Sequence, residues 1–144
     1  MNPVVRSILA VVVGMLVAFV LFALVQIIGM RAYPPPPGTD PMNAESVKAA
    51  MRQMPLGALL FVLLSYAAGS VAGGWVAARF APKAKLMHAM IVGALLFGAG
   101  LVNLSMIPHP AWFGVASSAI YLLGAWSGAR AAGAGTETAR PAQA

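Results

Sequence analysis

The chain has 144 residues, 60% of them hydrophobic and 8% charged, with nine Lys or Arg against three Asp or Glu and a formal charge of +6. Soluble domains carry roughly 25% charged residues, so this little charge cannot cover a soluble fold; a soluble enzyme, a disordered chain and a nucleic-acid-binding module are excluded. There is no cysteine, which also removes disulfides, thiolate nucleophiles and cysteine-held metals.

Four long apolar runs organise the chain, at about 7–30, 56–78, 86–107 and 112–130. A helix rises about 1.5 Å per residue, so roughly 20 residues cross the hydrocarbon core, and the fourth run is the shortest candidate. Apolar and polar residues do not alternate, which argues against a transmembrane β-barrel. The expected fold is all-α: a four-helix transmembrane bundle in a single domain over 1–132, with a disordered cytoplasmic tail at 133–144. The first run is too long for a typical signal-peptide core and no clear A-x-A site follows it, so it is expected to be retained.

Lys and Arg set the expected orientation. Arg6, Arg79, Lys83, Lys85 and Arg130 fall at one end of a four-span bundle, and the short turn holding Arg79, Lys83 and Lys85 weighs most under the positive-inside rule. Both termini should be cytoplasmic, with these five bases at lipid headgroups. Tyr33, Trp112 and Phe113 would mark the outer boundary, and Trp75, Phe80 and Trp126 the inner one.

The segment 31–55 is the one sizeable piece outside the apolar runs. Pro34–Pro37 favour a stiff polyproline strut, and Gly38 permits a turn. Asp40 as N-cap and Pro41 at the first helical position predict a short amphipathic helix to about Gln53 in the first extracytoplasmic loop. Its apolar stripe would be Ala44, Val47, Met51 and Met54, with Asn43, Lys48, Arg52 and Gln53 facing water.

Lipid tails are as apolar as leucine, so the spans must associate through close backbone packing. Small residues four apart supply it: Ser65, Gly69, Gly73 and Ala77 in the second span, and Ala10, Gly14 and Ala18 in the first. Ala94 and Gly98 are expected to serve the third span, and Gly124 and Gly128 the fourth. The second span should therefore be central.

Chemistry is sparse. No span holds Asp, Glu, Lys or Arg between its ends, where proton-coupled carriers usually place an ionisable group. His88 is expected to lie at the inner interface rather than in a proton relay. Gln26, Tyr33, Asn103 and His109 are the candidate outer polar site or partner surface, with Pro108 and Pro110 making a rigid turn around the imidazole. No H-E-x-x-H or phosphate-loop motif is present, and Ser127 is misplaced for a G-x-S-x-G elbow. No catalytic residue, cofactor or metal site is expected.

The runs Tyr33-Pro34-Pro35-Pro36-Pro37-Gly38-Thr39-Asp40, Pro55-Leu56-Gly57-Ala58 and Ile107-Pro108-His109-Pro110 resemble those of uncharacterised small four-span bacterial membrane proteins. The resemblance covers most of the chain outside the tail and implies no activity. The expectation is a non-enzymatic accessory or scaffold subunit of a bacterial inner-membrane assembly, its partners the lipid bilayer and another membrane protein or a second copy. The alternative is a small channel or transporter for neutral or apolar solutes, with Ser65, Tyr66, Asn103 and Tyr121 lining a shared cavity.

Overall fold

A computed structural model describes residues 2–135. Five helices follow in order: α1 (Pro3–Ala32), α2 (Ala44–Met51), α3 (Leu56–Phe80), α4 (Lys85–Met106) and α5 (Ala111–Ala131). No strand occurs among the described residues. Helices α1, α3 and α4 are long and apolar enough to cross a membrane. The fifth helix matches the expected fourth span in extent, but Gly114, Ser117, Ser118, Gly124, Ser127 and Gly128 make it less apolar than α1, α3 and α4.

The helix ends follow local chemistry. Asn2 caps α1 by accepting the Val4 N–H at 2.9 Å, and Pro3 sits where its missing N–H costs nothing. The prolines after Tyr33 can supply no further helical N–H, and α1 stops there. Thr39 N–H then closes a turn onto the Pro36 carbonyl at 3.2 Å, with Gly38 at φ +82°. Such a turn needs the left-handed conformation that glycine adopts without steric cost.

The short helix starts later than the sequence predicts. Asp40 uses its carboxylate on the Met42 N–H at 2.9 Å, and Asn43 is the real N-cap, accepting from Glu45 N and Ser46 N at 3.0 and 3.1 Å. Its helical residues end at Met51 rather than Gln53. Ala44, expected on the apolar stripe, is exposed, and Ala50 is the buried residue of α2.

The end of α5 holds another correction. The tail expected to be disordered over 133–144 begins with an ordered turn. Ala134 N–H bonds the Ala129 carbonyl and Gly133 N–H that of Arg130, both at 3.0 Å, with Gly133 at φ +82°. This is a Schellman cap, and its apolar contact is present because Ala134 packs with Ala129, Ala78 and Ala89. The rest of the expected tail, from 136, lies outside the described residues.

Helix α3 is central, packing against α1, α4 and α5. The expected ladder Ser65, Gly69, Gly73 and Ala77 is buried, as are Ala10, Gly14 and Ala18 of α1. A β-carbon on Gly69 or Gly73 would stand 2.7 Å from the carbonyl oxygens of Ala18 and Gly14 respectively. A second ladder, Ser70, Gly74 and Ala78, is also buried. It lies one residue, or about 100°, around the helix and serves α5. There a β-carbon on Gly74 would meet the Ala125 carbonyl oxygen at 2.5 Å, and one on Gly124 would meet Ser70 Cβ at 2.7 Å. One on Gly128 would collide with the Val71 carbonyl.

Helix α4 does not use the residues expected of the third span. Ala94 is exposed, and a β-carbon on Gly98 would meet nothing within 4 Å. The packed face of α4 is Ala89, Val92, Gly93, Leu96 and Gly100.

Candidate functional site

The two ends of the packed helices differ in chemistry. At one end meet the start of α1, the end of α3, the start of α4 and the end of α5. Arg6 Nε donates to the Phe80 carbonyl at 3.0 Å, one of the carbonyls α3 leaves without a helical partner. The Arg130 guanidinium lies 5.6 Å from the Trp126 ring centre. Arg79 and Lys83 are exposed and Lys85 is half-buried. The five bases expected to share one end do so. His88, expected at an interface, is buried in α4. Its Nδ1 lies 3.1 Å from the Ala84 carbonyl, which also accepts the His88 N–H.

At the opposite end Met51, the last residue of α2, and the segment that follows it line two neighbouring clefts. One, of about 60 Å³, is lined by Gln26, Met30, Tyr33, Met51, Met54 and Phe61 among others. The second, of about 280 Å³, is lined by Met51, Arg52, Met54, Leu59, Pro108, His109 and Pro110. Met51, Met54 and Leu59 belong to both. Of the four residues expected to form one outer polar site, Gln26 and Tyr33 share the first cleft and His109 lines the second. Asn103 lines neither.

Sequence reasoning identified His109 but not its methionine neighbours. The Met54 N–H bonds the Met51 carbonyl at 3.3 Å. This i to i+3 turn joins the two methionines, and both line both clefts. The His109 imidazole stacks on Phe113, with centroids 4.6 Å apart and planes at 15°. Its Nδ1 lies 2.8 Å from the Ile107 carbonyl. Phe113 was expected at the membrane boundary; it is 1% exposed, in a core cluster with Leu59 and Leu63 that also receives Met51. On α2, Glu45 pairs with Lys48 at 2.9 Å, and that hydrogen bond holds its carboxyl below the ordinary glutamate range.

An aromatic chain runs inward from this end. His109 stacks on Phe113, Phe113 meets Tyr66, and Tyr66 meets both Tyr121 and Phe22. The Tyr66 and Tyr121 rings are 4.9 Å apart with their planes at 34°. Asn103, Tyr66 and Tyr121 line neither of the α2-end clefts, and Ser65 is packed in the core. The buried serines are satisfied locally: Ser65 donates to the Val62 carbonyl at 2.6 Å, Ser70 to Tyr66 at 2.6 Å, and Ser117 to Gly114 at 3.1 Å. No group of three His, Cys, Asp or Glu gathers among the described residues.

Comparison with protein-family models, with curated proteins and with solved structures finds no match.

Proposed function

We propose that the chain is a non-enzymatic integral membrane subunit that works by assembly, as an accessory or scaffold in a bacterial inner membrane. In this reading α1, α3, α4 and α5 are four spans, the basic end and both termini are cytoplasmic, and α2 is an amphipathic helix on the outer side. The positive-inside rule supports the orientation through Arg79, Lys83 and Lys85 in and beside the short α3–α4 connection. A 21-residue α5 is long enough to cross, and it carries no charge before Arg130 near its end.

The observation that carries the reading is that the buried polar side chains of the spans are satisfied within the chain. Each buried serine spends its hydroxyl on a carbonyl of its own helix, and among the described residues no buried side-chain nitrogen or oxygen lacks a hydrogen-bond partner. A coupled carrier keeps a polar or ionisable group at mid-depth to receive its ion. Here interior contacts are spent on helix packing, which suits a part that holds position in a larger assembly.

Native mass spectrometry of the chain, extracted mildly from its own membrane, tests this. A reproducible complex with one foreign membrane subunit is the expected result. Solute flux or turnover by the purified chain alone overturns the proposal.

A further inference from the structure

We propose that the α2-end cleft holding Met51, Met54 and His109 is a binding site for a soft monovalent metal ion, Cu(I) or its analogue Ag(I). The inference goes beyond the assembly reading and does not depend on it.

Three observations converge. The Met51–Met54 turn, closed at 3.3 Å, joins two methionines on the connection into α3, and both line the cleft that His109 lines. The imidazole is fixed before any ion arrives, by the flanking Pro108 and Pro110, by stacking on Phe113 at 4.6 Å, and by its Nδ1 on the Ile107 carbonyl at 2.8 Å. A carbonyl oxygen only accepts, so Nδ1 carries the proton and the neutral ring keeps its lone pair on Nε2. Metal-binding histidines are typically held this way, one ring N–H spent on a carbonyl while the other nitrogen coordinates. Met30 lines the adjoining cleft, which shares Met51 and Met54, and so places a third thioether nearby.

Packing alone accounts for long apolar side chains at 51 and 54, and leucine would serve it equally well. It does not account for an imidazole locked in one tautomer between two prolines at the same cleft. The donor set also selects its ion. The two thioethers are soft, the imidazole is an intermediate donor, none of the three is anionic, and Cu(I) is an ion that both donor types suit. The cleft lining contains no carboxylate, and it includes Arg52. Absence of a carboxylate disfavours Ca²⁺, Mg²⁺ and Zn²⁺, which want anionic or harder donors, while the Arg52 guanidinium opposes any cation and a monovalent one least.

The test is titration of the full-length chain in detergent micelles with Ag(I), a redox-inert probe, in the presence and absence of excess Zn(II). One Ag(I) per chain, not displaced by Zn(II), is expected. The Met51→Leu/Met54→Leu double variant keeps apolar volume and should weaken binding by about tenfold or more, the scale on which even supporting residues affect metal sites. Met42→Leu, at a side chain 92% exposed and outside the cleft, should leave binding unchanged. Nitrogen NMR of the imidazole should show the His109 Nε2 resonance moving on Ag(I) addition while Nδ1 remains protonated. Circular dichroism of each variant separates loss of the site from loss of the fold. Unchanged affinity in a folded double variant, displacement by Zn(II), or an Nε2 resonance indifferent to Ag(I) overturns the proposal.

Discussion

Gly14 and Gly73 face each other so closely that a β-carbon on either would stand 2.7 Å from the carbonyl oxygen of the other. The obstruction is backbone on both sides, so no side-chain rotation relieves it. Gly73→Ala or Gly14→Ala must push α1 and α3 apart, at about 1–3 kcal/mol by analogy with overpacked cores. Gly98 is the internal control, since nothing lies within 4 Å of its β-position. There alanine should be neutral or stabilise the helix by up to about 1 kcal/mol. Unfolding in a graded detergent mixture, followed by circular dichroism, should rank the variants in that order; equal stability of Gly73→Ala and Gly98→Ala would contradict the packing described.

Ala84, before α4, adopts φ 47° and ψ 52°, the left-handed conformation, and is the one non-glycine residue with positive φ among those described. Its carbonyl is held there by two bonds from His88, one from the backbone N–H at 3.3 Å and one from the ring at 3.1 Å. A residue with a β-carbon pays roughly 1–2 kcal/mol for this backbone, and glycine does not. Glycine also loses more freedom on folding, so the net gain from Ala84→Gly should be about 0.5–1 kcal/mol. The same unfolding assay checks it, and a less stable variant would refute the backbone assignment.

The long helices were legible because apolar length and the proline breaks at Pro34 and Pro55 leave little choice. The small residues of α1 and α3 were legible because period four is a geometric requirement for close approach. Ala94 and Gly98 misled for the same reason: spacing shows which residues could pack, and only the rotation of α4 decides which do. The start of α2 was misread because Asp40 and Asn43 are both good caps, and only Asn43 accepts from two N–H groups of the first turn. The cleft around His109 was half legible. Its histidine stands out between two prolines, whereas Met51 and Met54 resemble any other apolar pair until the turn joining them is seen.

Helix α2 offers a pH-dependent handle. The Lys48 hydrogen bond first, and its charge second, hold the Glu45 carboxyl below the ordinary value of 4.5. A carboxyl lowered in the folded state contributes stability above its unfolded value and loses it as the pH falls through the folded one. Glu45 is fully exposed to solvent, so the effect on overall stability is small. Its side-chain carboxyl carbon, followed by NMR, should titrate with a midpoint below 4.5, and Lys48→Met should raise that midpoint. A midpoint unaffected by Lys48→Met would mean that the pair does not form in solution.

Absence of cysteine makes the proposed topology directly testable, because each introduced thiol is the only one in the chain. Met42, Lys83, Ala111 and Ala131 are exposed and lie, in turn, just before α2, between α3 and α4, and at the start and end of α5. Met42→Cys and Ala111→Cys should react with a membrane-impermeant maleimide on intact spheroplasts. Lys83→Cys and Ala131→Cys should react only after the membrane is opened. The pair on α5 decides whether this helix crosses. If Ala111→Cys and Ala131→Cys label from the same side, α5 does not span and the chain has three crossings, which would put its ends on opposite faces. If all four positions label in the reverse pattern, the basic end faces outward and the positive-inside argument built on Arg79, Lys83 and Lys85 fails. Only opposite labelling of the α5 pair, with Lys83→Cys protected, supports four spans with a cytoplasmic basic end.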